Sequence, residues 1–585
     1  MPTLPAQLSA DLATALNQAG IELPEGVSAD VTAAQDTRFG DYQTNIAMVL
    51  AKSQRTNPRA LATSIVENFP AESISETPQI AGPGFINFKV KPEAFASLVT
   101  DIARDTDGRC GMEKVANPKT IVLDFSAPNV AKPMHVGHIR STIIGDTLAR
   151  VARFAGHNVI TDNHIGDWGT QFGMIIYGWK NILDQDALAA DPIAELLRVY
   201  KTINDQCKAD ESVRDACKLE LVALQAGDEA NLEIWQKCVE LSKQGLQGIY
   251  DKLDVHFDHW LGESAYNDRL GPLVERLIDE KIAEESDGAI CVFFPDNKAL
   301  EEKPCLIRKG DGGFLYATTD LATIDFRVEE WKADEIWYVV GAPQQLHFQQ
   351  IFEVAAKMGH KTNMEHIAHG SILGSDRKLM RTRSGDNVQL TDVLTEAVER
   401  SRAIIEEKNP SLTDDEKETI SEIVGIGSVK FAELSQHRMT DYIFSWDKML
   451  ALTGDTAPYL QYSFVRIQSI FRKLAENEGL DQAGIDTLLA NATVALSEDG
   501  ELTLARQLGR FAEIVPMVLD GHRPNLLCSY LLELARAFHS FFEACPVLKA
   551  TDTATRDSRL VLAHATARTL ETGLGLLGIR VPEKM

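Results

Sequence analysis

The chain has 585 residues, 44% of them hydrophobic and 24% charged, with a formal net charge of −27. At roughly 100–200 residues per domain this is room for about three or four buried cores, and no apolar run approaches the ~18 residues that a bilayer-spanning helix needs. The eight cysteines, Cys110, Cys207, Cys217, Cys238, Cys291, Cys305, Cys528 and Cys545, include no C-x-x-C pair; with a start, MPTLPAQLSADLATAL, that lacks the regions of a signal peptide, they read as reduced, packed thiols of a cytoplasmic protein without structural zinc or any other protein-held metal.

In chain order, residues 1–115 read as a small α+β module. LSADLATALNQAG has helical spacing and stops at Gly20, FGDYQTNIAMVLAK begins with a turn and continues as a helix, and AGPGFINFKV is a turn followed by a strand. The pattern changes near Pro118. TIVLDFSAPN is the short apolar run of a parallel strand buried on both faces. IRSTIIGDTLARVARFAG has helical spacing through Ile139, Ile143, Thr147 and Val151 and stops at Gly156, and HNVITDNHIG is a second short strand. Strand–helix–strand of this length is a βαβ unit and implies a parallel sheet. Residues 180 to about 260 are helical and charged, an insertion between the two halves of that sheet. Strand-like runs resume at AICVFF, GFLYAT, EIWYVVG and HIAHGSIL, and from about residue 390 the pattern is almost wholly helical. The division expected is 1–115, 116–390 and 391–585.

The chemistry concentrates in FSAPNVAKPMHVGHIRST, between the first parallel strand and its helix, where open α/β sheets bind ligands. His135 and His138 can donate hydrogen bonds to phosphate oxygens, Gly137 lets a flat base approach the backbone, Lys132 adds a charge, and the helix points its positive end at the same place. Two histidines three apart are by themselves more often structural. The whole run, with His135-Val136-Gly137-His138 in strand–helix context, resembles the HIGH signature of class I aminoacyl-tRNA synthetases, and SAPNVAKPMHVGHIRS resembles the arginyl family among them. The second class signature, KMSKS, corresponds to GSILGSDRKLMRTRSGD but departs from it: Leu379 and Arg381 stand at the first lysine and the serine positions. Lys378, Arg381 and Arg383 still offer charge for a departing pyrophosphate, unless the segment is only a solvated basic turn. The resemblance implies that Lys132 compensates for the altered loop.

The same resemblance implies an arginine pocket of Asn129 for the α-amino group, Asp320 and Tyr316 for the guanidinium, and Gln344 (rival Gln345) or Glu263 beside them. A planar fork of donors calls for such partners. Read singly, Asp320 is a carboxylate at a helix start and Tyr316 a core aromatic. FGDYQTNIAM resembles the family's N-terminal tRNA-elbow module, with Tyr42 stacking on a base and Gln43 and Asn45 reading its edge, against a turn with Asp41 or Thr44 as cap. GDTAPYLQYSFVRIQSI resembles the helical anticodon-binding domain, with Tyr459 and Tyr462 as platforms and Arg466 on phosphate. The apolar ending GLGLLGIRVPEKM is expected to pack back onto that domain.

The family fold implied is a Rossmann-like parallel-sheet catalytic domain (α/β) with an N-terminal α+β module and a C-terminal all-α domain. The reaction implied joins L-arginine to the 3′ end of tRNA(Arg), using ATP with Mg²⁺, in a monomer whose activation step requires tRNA. The net charge of −27 argues on its face against an RNA partner, but RNA needs only a local positive surface. From Arg506 onward ten Lys/Arg stand against eight Asp/Glu, so the acidity lies elsewhere. The competing readings are a class I synthetase for another amino acid, a small-molecule nucleotidyltransferase sharing H-x-G-H, and a catalytically inert tRNA-binding protein.

Overall fold

The computed structural model describes residues 2–34, 36, 38–374, 376–378, 380 and 388–585. Its first part contains helix α1 (Leu4–Gln18), strands β1 (Thr32–Ala33) and β2 (Tyr42–Thr44), helices α2 (Ile46–Gln54) and α3 (Pro58–Glu67), strands β3 (Gln79–Ala81) and β4 (Phe85–Phe88), and helix α4 (Pro92–Arg104). Thr3 caps α1 by accepting the Ala6 N–H, with a proline in the first turn. The strands form an antiparallel sheet in the order β1-β2-β4-β3. FGDYQTN therefore does not run straight from turn to helix: Tyr42 pairs with Phe88 and Gln43 with Asn87, which draws the segment into a strand before α2 begins.

The middle of the chain holds β5 (Thr120–Phe125), α5 (Gly137–Ala155), β6 (Asn158–Asp162) and α6 (Gln171–Ile182), then the insertion α7 (Gln185–Ala190), α8 (Pro192–Ala209), α9 (Glu211–Gln225) and α10 (Glu229–Leu253). After α11 (Asn267–Asp279) come β7 (Glu284–Ser286), β8 (Ala289–Val292), β9 (Cys305–Arg308), α12 (Tyr316–Glu329), β10 (Glu335–Val339), α13 (Gln345–Lys357), β11 (Asn363–His366) and β12 (Ile372–Leu373). The central sheet is parallel, in the order β11-β10-β5-β6. Ile121, Val122, Leu123 and Phe125 are buried, as a strand covered on both faces requires. The chain leaves β5 in one direction to reach β6 and returns on its other side at β10, so the switch in strand order lies between β5 and β10.

Two expected strands differ. AICVFF is a strand, but it belongs to a separate antiparallel sheet, β7-β8-β9. GFLYAT is not one: α12 starts at Tyr316, where the Thr318 hydroxyl meets the Leu315 N–H and donates to the Ile307 carbonyl, closing a helical first turn over β9.

The last part comprises α14 (Leu390–Lys408), α15 (Asp414–Leu434), β13 (Tyr442–Ile443), α16 (Trp446–Met449), α17 (Ala457–Glu478), α18 (Gln482–Asn491), α19 (Asp499–Gly509), α20 (Phe511–Gly521), α21 (Pro524–Ala544) and α22 (Thr553–Leu576). It is not wholly helical, since β13 pairs in parallel with β12 of the preceding part. The N-terminal module docks directly on these helices: Leu4, Leu8 and Phe95 share one core with Leu504 and Phe511, and Arg506 pairs with Asp41 at 2.7 Å. The chain end packs back as expected, with Leu577 and Ile579 buried, the Gly578 carbonyl accepting from Lys430 and the Arg580 carbonyl from Gln461, both at 2.8 Å. Among the described residues no helix is long and apolar enough to cross a membrane.

Under the central sheet, Arg327 of α12 donates to Asp124 of β5 at 2.7 Å and Asp162 of β6 at 2.8 Å, all three buried. The triad fixes α12 against the two strands whose ends carry the site. Arg327→Met would leave two buried carboxylates uncompensated. We expect it to cost about 3–5 kcal/mol, seen as an earlier midpoint in urea unfolding; an unchanged midpoint would show that the carboxylates find other partners.

Candidate active site

The chain leaves β5 through a loop in which Ser126, Ala127 and Ala131 all have positive φ (72°, 45° and 60°). Such backbone costs non-glycine residues about 1–2 kcal/mol each and persists only where the surroundings hold it. Here the Ser126 N–H donates to Ser141 Oγ at 2.8 Å, the Ala127 N–H to Asn163 Oδ1 at 3.1 Å and the Ala131 N–H to Ser242 Oγ at 3.0 Å, and the hydroxyls of Ser126 and Tyr250 meet at 2.7 Å. The loop delivers Asn129 over Gly166, where a Cβ would fall 2.3 Å from Asn129 Oδ1. It then delivers His135–His138, pinned to the chain that follows the KMSKS-like segment by Val136 N–H to Val388 O and Leu390 N–H to Met134 O, both 2.9 Å.

The two imidazoles lie 4.0 Å apart. The Gly137 N–H donates to His135 Nδ1 and the His135 N–H to His138 Nδ1, both at 3.1 Å. Burial lowers the pKa of both rings, that of His138 to about 4 with a further push from His135. At neutral pH both are therefore uncharged, and with each Nδ1 accepting, each presents Nε2–H as a donor. Gly137 is exposed, and a Cβ there would sit 2.8 Å from the His135 ring. The first amides of α5 are not open donors: those of Val136, Gly137, His138 and Ile139 already bond within the protein. The helix end contributes its dipole, and the hydrogen bonds to an anion fall to the imidazoles.

Across the carboxyl ends of the strands stand Glu263, which follows α10, and Asp320 and Tyr316 on one face of α12. Tyr316 is 72% exposed. Glu263 has its pKa raised to about 7, chiefly by burial, with His164 opposing and the Asp320 and Asp167 carboxylates adding to the rise; that of Tyr316 is raised first by partial burial and then by Glu263. Among the described residues neither Glu263 nor Asp320 has a lysine or arginine within ion-pairing distance; Asp320 Oδ2 faces His347 Nε2 at 2.5 Å. Gln344 and Gln345 are both exposed where the chain enters α13 from β10. The pattern missed Asp167, Ser264, His164 and the role of His347. Asp167 accepts from the Ser264 N–H at 2.8 Å and hydroxyl at 2.7 Å, and the only local signal was a polar cluster, NHIGD, after an apolar strand.

Other expected residues stand differently. Lys132 points its amine at the insertion, 4.9 Å over the Tyr200 ring, beside a cavity of about 390 Å³ lined by α8 and α10. Lys378 is exposed, while Arg381 and Arg383 lie outside the described residues. Tyr42 is not a free stacking surface: it is 4% exposed and its hydroxyl donates to Glu513 of α20 at 2.6 Å, because the module docks on the helical part through this face. Gln43 is half-buried and Asn45 exposed. Asp41 does not cap a helix; it accepts from Val90 and Arg506. On α17, Tyr462 is 47% exposed and Tyr459 half-buried, and Arg466 lies 4.6 Å over Phe542.

The model of class I (R) tRNA synthetase catalytic domains matches residues 103–446, that of the arginyl-tRNA synthetase N-terminal domain residues 6–90, and that of the DALR anticodon-binding domain residues 460–585. The chain belongs to the arginyl-tRNA synthetase family. An arginine–tRNA ligase of Thermobifida fusca is 45% identical over 94% of this chain and 94% of its own, and one of Picosynechococcus is 43% identical over the full length of both. The crystal structure of the Plasmodium falciparum arginyl-tRNA synthetase superposes with a TM-score of 0.83 at 27% identity, covering all of both chains. Within this family member, the raised pKa of Glu263 beside Asp320 has a consequence for pH. A bound cation stabilises ionised Glu263, so binding below pH 7 expels a proton. If the ionised form is the binding form, affinity for arginine rises with pH and levels off above the pKa of about 7. It should be about tenfold weaker at pH 6 than at pH 8, measurable by calorimetry in buffers of different ionisation enthalpy; a flat profile would remove Glu263 from the cation's surroundings.

Proposed function

We propose that the chain activates L-arginine with ATP to arginyl-adenylate and transfers it to the 3′-terminal adenosine of tRNA(Arg), releasing AMP and pyrophosphate. The observation that carries this reading is the pair of partly desolvated carboxylates, Asp320 and Glu263, that have no lysine or arginine partner among the described residues and stand near Tyr316 at the rim of a parallel sheet. Several other buried carboxylates in this protein are matched by arginine, Asp124 and Asp162 by Arg327 and Glu433 by Arg140 at 2.5 Å; a pair without such a partner offers its charge to a ligand cation.

In the first step the arginine carboxylate oxygen attacks the α-phosphorus in line; the new P–O bond forms as the bond to pyrophosphate breaks. Mg²⁺ enters with ATP as part of the substrate. Asp320, Tyr316 and Gln344 hold the guanidinium, with Glu263 beside it, and Asn129 takes the α-amino group, so the carboxylate is oriented before attack. The Nε2–H groups of His135 and His138 donate to phosphate oxygens whose charge grows in the transition state. Pyrophosphate leaves towards Lys378 and the basic loop beyond it; Lys132 joins only when its amine leaves the Tyr200 ring. In the second step the terminal 2′-hydroxyl attacks the adenylate carbonyl, losing its proton as AMP departs.

The division of labour follows the sequence boundaries. Residues 116–390 perform the chemistry. Residues 1–115 meet the tRNA elbow, now through Gln43 and Asn45 with Tyr42 as a packed support. Residues 391–585 meet the anticodon, with Tyr459 and Tyr462 along one face of α17 and Arg466 oriented by Phe542. The chain works as a cytoplasmic monomer. Incubation with purified tRNA, ATP and labelled amino acid tests the reading: arginine should be charged and lysine and ornithine left free, whereas charging of lysine, or of nothing, would overturn it. ATP–pyrophosphate exchange with arginine should appear only when tRNA is added.

A further inference from the structure

We infer that His347 is a positioning residue of the arginine site: by donating Nε2–H to Asp320 Oδ2 it fixes the plane of that carboxylate, and the plane selects a guanidinium over an ammonium. The inference rests on the reading that Asp320 receives the substrate cation.

The contact is short, 2.5 Å, and both side chains are about three-quarters covered. His347 sits in the first turn of α13 and Asp320 in the second turn of α12, so the bond joins two helices that flank the switch in strand order. The imidazole's own position is fixed by its neighbour. Phe348 packs 5.0 Å from the Tyr338 ring of β10 and stacks 4.4 Å from His366 at the end of β11, so the first turn of α13 is anchored to the sheet. Asp320 has no second ion-pair partner among the described residues. His347 is therefore what orients it.

A carboxylate offers about four lone-pair sites, and one bond leaves the others for a ligand while setting the plane in which they lie. A guanidinium is a rigid planar fork and needs that plane to match its own. An ammonium is a compact charge with rotatable donors and is nearly indifferent to it. Loss of the imidazole bond leaves the charge of Asp320 in place and removes its orientation. The defect should thus fall on arginine far more than on lysine, a selectivity that a general loss of stability does not produce.

The experiment compares His347→Leu, His347→Asn and His347→Gln in the full-length protein with tRNA present. Glutamine carries an N–H near the position of Nε2, whereas asparagine is too short to reach Asp320. In His347→Leu and His347→Asn the arginine KM should rise roughly 10- to 100-fold, the loss expected for a hydrogen bond to a charged group, with ATP KM unchanged. The preference for arginine over lysine, as the ratio of the lysine inhibition constant to the arginine KM, should fall about tenfold. His347→Gln should recover most of both. If His347→Leu does not fold, the glutamine–asparagine comparison decides alone. Equal arginine KM values in those two variants, or parallel losses for arginine, lysine and ATP, would overturn the inference. Asp320→Asn separates the two levels: normal arginine KM there would sink the assignment of Asp320 itself, whereas a damaged Asp320→Asn beside normal His347 variants would sink only the role of His347.

Discussion

His138→Ala is expected to lower the rate of arginyl-adenylate formation about 10²–10³-fold, the usual effect of removing one donor to developing oxyanion charge. Arginine and ATP KM should change little. The reason is geometric. His138 is held by the His135 N–H on Nδ1 and leans on the His135 ring, so its one remaining donor is aimed before the substrate arrives. A donor that meets charge growing only in the transition state lowers kcat rather than substrate affinity. The low pKa, about 4, adds a second expectation. Because the ring is neutral across the working range, kcat should show no limb from this histidine between pH 6 and 8. Single-turnover adenylate formation measured across that range checks both. An alanine variant with wild-type turnover would leave the ring pair as packing for the strained loop before it.

Asp320→Asn should lower kcat/KM for arginine by roughly 10²–10³-fold, the range for removing one partner of a desolvated, hydrogen-bonded charge pair, about 3–4 kcal/mol. Almost all of it should appear in the arginine KM. The apo protein should not be destabilised, because Asp320 repels Glu263 and raises its pKa; the neutral amide removes that repulsion. In the variant, Glu263 therefore ionises at lower pH, and the remaining pH dependence of arginine binding should move in the acid direction. A variant whose melting temperature collapses, or whose pH profile does not move, would place Asp320 in the scaffold.

Local pattern was informative wherever the signal was carried by neighbours in sequence. The β5–α5–β6 unit followed from a short apolar run, a helical period and Gly156, which ends α5 with φ of 104°. The position of His135 and His138 followed from that unit, because the residues after a parallel strand lie at the binding edge. Pattern failed where a local preference met a distant partner. GFLYAT is rich in strand-forming residues, yet a hydroxyl reaching from Thr318 to β9 closes a helical turn. Tyr42 looked free for a base, yet Glu513, 471 positions away, takes its hydroxyl. Lys132 was expected at the phosphates, yet Tyr200 on the insertion holds its amine.

By itself, the sequence determined the class of the fold and the place of the signature loop at a strand end, because periodicity and strand ends are properties of consecutive residues. Only the tertiary structure decided which carboxylates were given an arginine partner and which were not. Asp124 and Asp162 are neutralised by Arg327 from 203 and 165 positions away, while Glu263 and Asp320 are brought near each other with no lysine or arginine partner among the described residues. No composition or spacing distinguishes these four acids. Coulomb interaction depends on separation in space and on the water excluded around it, and both are set only when the chain has closed upon itself.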